Sequence, residues 1–269
     1  MNEIWTDHFS HSQLVSVEEC PYAYYLLKAA GIKPVENAFA QAGQLAHELL
    51  AGWARGGIPK EQLPLLWEER FYRKVTVPFP HYLEQKGIYE KTCRSIAEYF
   101  ASFDGFPGYE ILGVEQEFTS SIAGNSFVGI IDLILRNKET GGIMLVDHKS
   151  ASVSTFNKQK EKMYRQLLLY SKFIADNYGC FPETLCFNLF KEQKIDSRPF
   201  NQEDFIAARI WAESVIKEMR AKDVTEWFET KPDYFRCTNL CSARKECPFG
   251  KPENHCRKQI KLTGEKTTV

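Results

Sequence analysis

Apolar positions recur along this chain with two different periods, and the change between them falls near residue 105. In the first third they follow a helical spacing. Ser16 with Glu19 three residues on predicts a capped helix running through Tyr22–Leu27 towards Gly31 and Pro34. The stretch from Ala38 to Ala54 predicts a second helix, stopped by Gly56-Gly57, and Ile88 to Phe103 a third beyond a segment broken by Pro64, Pro78 and Pro80. The runs Glu110–Thr119, Ser126–Arg136 and Gly142–Lys149 are then short and rich in Ile, Val, Leu and Phe. Turn residues at Ala123-Gly124-Asn125 and Asn137–Gly142 separate them, so they predict an antiparallel meander. Lys158–Tyr178 reads as a helix, Thr184–Phe190 as another strand and Gln202–Arg220 as a last helix. This order predicts an α/β (α+β) fold, a mixed sheet with helices packed on it. One domain over 1–269 is expected: a helical part to 105, a sheet-bearing core over 106–222 and a cysteine-rich tail over 223–269.

The 269 residues are 43% hydrophobic and 26% charged, which is ordinary globular usage and excludes a disordered chain. No apolar run reaches the roughly 18 residues of a membrane span. Met1 to Val15 mixes Glu3, Asp7, His8 and His11 with apolar residues, unlike a signal peptide, so a soluble cytoplasmic protein with no membrane partner is expected. A net charge of −1 leaves no overall basic footprint for nucleic acid, so such a partner has to be met locally. Two stretches offer this. Lys158, Lys160, Lys162, Arg165 and Lys172 face a single acid, Glu161, and the tail from Arg236 carries eight basic residues against three acids. Either is also what an ordinary solvated face looks like.

The chemistry concentrates at Gly129-Ile130-Ile131-Asp132 and Ile143-Met144-Leu145-Val146-Asp147-His148-Lys149. Strand alternation puts Asp147 and Lys149 on one face and His148 on the other. An antiparallel neighbour brings Asp132 within a few ångströms. Two carboxylates and an ammonium at paired strand ends suit a hard divalent cation and the stabilisation of charge on a phosphoryl group. The acid-any-lysine triplet itself occurs four times, at Glu84, Asp147, Glu192 and Glu229, and only Asp147 ends a hydrophobic strand beside a second strand acid. The competing reading is a strand-end salt bridge. Gln166 and Tyr170 share a face of the following helix, where Leu167, Leu168 and Leu169 account for the packing. Gly43 and His47 are likewise four apart on the Ala38–Ala54 helix, and a lone histidine there is more often a hydrogen-bonded core residue than a ligand.

Taken in order, Gly43…His47, Gly129-x-x-Asp132, Asp147-x-Lys149 and Gln166-x-x-x-Tyr170 resemble the RecB-like branch of the PD-(D/E)XK nuclease superfamily, over roughly Ser12 to Cys256. The resemblance implies a restriction-endonuclease-like core that cuts phosphodiester bonds with Mg2+ or Mn2+. It implies His47, Asp132, Asp147 and the backbone carbonyl of His148 as metal ligands. Lys149 would be the catalytic lysine, with Gln166 and Tyr170 supporting DNA and the active site. A DNA exonuclease preferring single strands is expected, with salt-sensitive and largely sequence-independent binding along the Lys158–Lys172 face. No phosphate loop of the Gly-Lys-Ser/Thr kind is present, so the chain either works alone or borrows a motor from a partner. A helicase or another recombination, CRISPR or phage-replication protein is the candidate.

Of eight cysteines, Cys237, Cys241, Cys247 and Cys256 crowd the tail, while Cys93, Cys180 and Cys186 sit among apolar neighbours and read as core packing. Clustered cysteines in a chain without a secretory signal point to metal rather than disulfides. In iron–sulfur members of the RecB-like branch, including AddB-type and CRISPR-associated nucleases, one early cysteine joins three late ones around a 4Fe-4S cluster. That resemblance implies Cys20, Cys237, Cys241 and Cys247, with Cys256 as an alternative ligand. A local zinc site from Cys237, Cys241, Cys247 and Cys256, or with His255, is the other reading. It accompanies a rival function, a non-catalytic nucleic-acid-binding module.

Overall fold

The computed structural model describes residues 8–80, 83–230 and 232–251, which form two compact units. The larger covers residues 38–210. The smaller combines residues 8–37 with those from 211 onwards, so α7 (Gln202–Ala221) contributes its first half to one and its second to the other.

In the larger unit, α3 (Ala38–Ala54), α4 (Leu63–Lys74) and α5 (Gln85–Ser102) pack around Leu45, Leu49, Trp67, Phe71, Ile96 and Phe100. Helix α4 lies in the stretch its prolines marked as broken. Pro64 occupies the first turn, where a missing N–H costs nothing, and the Trp67 Nε1 donates to the Cys93 carbonyl at 2.8 Å in the buried seam. Then come β2 (Tyr109–Ile122), β3 (Asn125–Asn137), β4 (Ile143–Lys149), α6 (Val153–Tyr178), β5 (Thr184–Leu189) and β6 (Lys194–Pro199). Strands β2, β3 and β4 are an antiparallel meander, β4 runs parallel to β5, and β6 returns antiparallel on β5. The mixed sheet is as expected, with β6 an addition. Its Lys194–Pro199 run is too polar for the strand pattern and is held by pairing with β5 alone.

Two features of this sheet position the polar residues at its strand ends. The β2–β3 hairpin turns on Ala123 and Gly124, both at positive φ (+49° and +75°), so Ile122 pairs directly with Asn125. Alternation on β4 divides its residues between two layers. Leu133, Leu135, Met144, Val146 and Cys186 form one apolar face beside Trp53, while Asp147 and Lys149 face α6. Ser152 caps α6 through the Thr155 N–H, and Gly179 ends it in the left-handed conformation.

In the smaller unit, β1 (His8–Phe9) leads into α1 (His11–Glu19), which starts at Ser10 with a capping box to Gln13, not at Ser16. Ser16 lies inside this helix. The chain breaks at Cys20 and restarts as α2 (Pro21–Lys28), because Pro21 has no N–H to continue α1 but suits a first turn. Among the described residues no helix is long and apolar enough to cross a membrane.

Candidate active site

Helix α3, strands β2, β3 and β4, and helix α6 bring seven polar side chains together in the larger unit. On β4, the Lys149 ammonium lies 2.8 Å from the Asp147 Oδ2 and donates to the Gln166 Oε1 at 3.1 Å. Gln166 closes the ring through its Nε2, which donates to the Asp147 Oδ1 at 2.8 Å and contacts the Tyr170 hydroxyl at 3.4 Å. The two α6 residues are thus neighbours on one face, with Gln166 holding the Asp147 carboxylate and the Lys149 ammonium in fixed relation. Asp132, from β3, accepts the His148 backbone N–H at 2.7 Å, and the His47 Nδ1 lies 3.5 Å from the same carboxylate oxygen.

Two glycines allow these approaches. A Cβ on Gly43 would stand 3.2 Å from the Ser150 hydroxyl, so α3 lies against the end of β4 one turn before His47. A Cβ on Gly129 would fall 2.7 Å from the Phe118 ring and 2.9 Å from the Tyr170 ring. Gly129 is therefore the space that the Tyr170 ring occupies.

One acid of the site was not among the sequence candidates. Glu115, on β2, joins His47 and Asp132 in a group whose ligating atoms all lie within 4.8 Å of one another. Val114 pairs with Leu133 and Gln116 with Ile131, which leaves Glu115 across the hairpin from Asp132. Its φ of +47° is a left-handed backbone that a glutamate rarely adopts, the kind of local strain that collects at functional sites.

Electrostatically the site is a partly buried cluster of carboxylates. Burial and then the neighbouring Asp147 charge push the Asp132 carboxyl well above the ordinary range, against the pull of the His148 N–H and Lys149. Burial pushes Glu115 up as well, partly offset by Arg55. His47 is held below its usual value by burial, so it is a neutral donor near pH 7. Neutral imidazole beside crowded carboxylates is a donor set for a divalent cation, which relieves their mutual repulsion.

The basic face of α6 is less free than its charge count. Lys160 pairs with Asp196 at 2.8 Å and Lys172 with Asp176 on its own helix. Cys93 and Cys186 are buried as expected, but Cys180 is exposed, because it follows the Gly179 turn at the surface end of α6.

In the smaller unit Cys20, Cys237, Cys241 and Cys247 share one apolar cluster with Tyr22, Leu26, Ala243 and Phe249. Burial first, and then one another's proximity, raise the thiols of Cys237, Cys241 and Cys247, the last to about 11. Arg244 clamps the tail by donating to the Val35 carbonyl at 2.9 Å and the Cys241 carbonyl at 3.0 Å. Among the described residues, no three of these thiols lie within 4.8 Å of one another. Cys256 and His255 fall outside the described residues.

Among solved structures, the chain is similar to a protein from Eubacterium rectale named as a candidate exonuclease, at 13% identity over 80% of this chain and 79% of that one, with a TM-score of 0.44. It is also similar to a protein designated SSO0001, at 14% identity over 91% and 87% of the two chains, with a TM-score of 0.38. No curated protein matches it. The family described as the PD-(D/E)XK nuclease superfamily matches residues 8–248. That span holds His47, Asp132, Asp147, Lys149, Gln166 and Tyr170, and the chain belongs to the PD-(D/E)XK nuclease superfamily.

Proposed function

We propose that this protein is an Mg2+- or Mn2+-dependent deoxyribonuclease, an exonuclease acting on single-stranded DNA, whose smaller unit is built on a 4Fe-4S cluster. The observation that carries the reading is the closed set Asp147–Lys149–Gln166 beside the Asp132–His47–Glu115 group. Exonucleolytic action, the preference for single strands and a helicase or recombination partner come from the resemblance to the RecB-like branch.

His47, Asp132, Asp147 and the His148 carbonyl would hold the divalent cation, with Glu115 within reach of the same place. When bound, the cation polarises the phosphate and lowers the pKa of the attacking water. The side chains do the rest. Gln166 keeps both Asp147 oxygens from rotating, through one hydrogen bond to the carboxylate and one from the ammonium. Lys149 places a fixed positive charge where the five-coordinate phosphorus gathers negative charge, in a site dry enough for that charge to count. The water oxygen bonds to phosphorus, the bond to the leaving sugar oxygen breaks, and that oxygen takes up a proton.

The iron–sulfur reading is preferred to zinc because Cys20 lies where the resemblance wants a ligand. The early Cys20 lying in the same apolar cluster as the three late cysteines supports the ligand set that the resemblance implies.

The test is cleavage of end-labelled single- and double-stranded DNA, linear and circular, with Mg2+ or Mn2+ and with chelator. The expected result is metal-dependent loss of linear single strands, abolished in Lys149→Ala. Metal-independent binding without cleavage, or full activity in the variant, would refute it.

A further inference from the structure

The face of β4 turned away from Asp147 is apolar along most of its length, with Met144 and Val146 packed on Leu133, Leu135 and Cys186. At its active end that pattern stops. His148 is 2% exposed and lies directly beside Asn188, its register partner on β5, which is equally buried. The Asn188 Nδ2 lies 2.9 Å from the His148 Nδ1 and 2.6 Å from the hydroxyl of Tyr99, on α5. The amide donates to the Tyr99 hydroxyl and shares a hydrogen bond with the His148 ring. Three polar side chains in a row inside an apolar layer cost stability relative to hydrocarbon of the same shape. Packing alone does not call for them.

Their position suggests what they do. The His148 backbone is gripped from both sides of the sheet: its N–H by the Asp132 carboxylate at 2.7 Å, its ring by Asn188 and, through it, by Tyr99. The His47 ring stands edge-on to the His148 ring with centroids 5.7 Å apart. A shift of the β4 backbone at His148 would therefore disturb the bond to Asp132, the His148 carbonyl and the contact with His47 together.

We propose that Asn188 and Tyr99 are positioning residues for the cation site, a buried polar strut that fixes the β4 peptide at His148 from behind. The inference rests on the metal-dependent reading of this site. The strut ties helix α5 to a peptide on which two of the proposed ligands depend, without either residue reaching the substrate side of the sheet.

The experiment is a Mn2+ titration, with free Mn2+ followed by electron paramagnetic resonance. The proteins are wild type, Asn188→Leu, Tyr99→Phe and Asp132→Ala, each also unfolded thermally in chelator. Removing a hydrogen-bond partner that orients a ligand weakens metal binding by about 10- to 100-fold. Asn188→Leu is expected at the lower end of that range and Tyr99→Phe to show a smaller loss in the same direction. Cleavage by both is expected to recover at saturating Mn2+. Tyr99→Phe removes one oxygen only and carries the test if Asn188→Leu does not fold. Unchanged Mn2+ affinity in both variants, with affinity lost in Asp132→Ala, overturns the strut and leaves the metal site standing. Unchanged affinity in Asp132→Ala overturns the metal site itself, and the strut with it.

Discussion

Gly129 links the fold to the proposed chemistry most directly, and Gly129→Ala is the substitution that probes the link. The added methyl would stand 2.7 and 2.8 Å from two carbons of the Phe118 ring and 2.9 Å from the Tyr170 ring, where ordinary contact begins near 3.4 Å. Both rings are 6% exposed, edge-to-face at 4.9 Å, and Phe118 is stacked on Phe173, so neither is a loose end that can swing aside. Overpacking of this kind costs about 1–3 kcal/mol. In a chain of this size each kcal/mol lowers Tm by about 2–4 °C. The larger effect falls on the site. If Tyr170 yields, its 3.4 Å contact with Gln166 goes first and loosens the amide that holds Asp147 and Lys149. A displacement approaching 1 Å in such a constellation costs about 100-fold in rate. The assay is single-turnover cleavage beside thermal unfolding, with Gly129→Ala/Phe118→Leu as the rescue that returns the volume. Wild-type cleavage by Gly129→Ala, or no recovery in the double variant, would refute the close-approach account.

The remaining predictions concern the two proposed metal centres. Because the Asp132 carboxyl is raised in the folded state, folding binds its proton, and the stability it contributes is complete below the unfolded value of about 3.9. That contribution is lost as pH rises through the window up to the raised value. Metal-free Asp132→Asn is therefore expected to unfold at a higher temperature than metal-free wild type at pH 7, with the difference vanishing towards pH 4. Mn2+ is expected to raise the Tm of wild type and not of the variant; a variant equally stabilised by Mn2+ places the cation elsewhere. In the smaller unit, Cys241→Ser is expected to lose iron, sulfide and visible absorption after anaerobic purification. Stoichiometric zinc in the wild type would instead show that the thiols close on a single ion.

The strand-end acids, the lysine, the α6 pair and the α3 histidine were all legible in the chain, because each lies at a spacing that its own element turns into a shared face. Asp147 and Lys149 alternate on β4, and Gln166 and Tyr170 are one turn apart on α6. Glu115 was not read from the chain, although a signal for it exists. Counting back from a two-residue turn at Ala123-Gly124 places it opposite Asp132, and its strand pattern alone gives no reason to do so. Helix α4 was hidden by Pro64, read as a breaker when it sits in a first turn. Strand β6 was hidden because its pairing is set by β5 and not by its own residues.

The chain's local chemistry thus determined which side chains are available, on which elements, and the cap and turn residues that end those elements. Tertiary structure alone decided which of them meet. Gln166 bridges Asp147 and Lys149 because α6 packs on β4, with the Tyr170 ring in the space that Gly129 leaves. The strut from His148 through Asn188 to Tyr99 joins three elements whose sequence spacing says nothing of their contact. Such long-range pairings arise from packing a layer of helices on each face of a sheet, and their free energy is shared among residues far apart in sequence, where no local period records it.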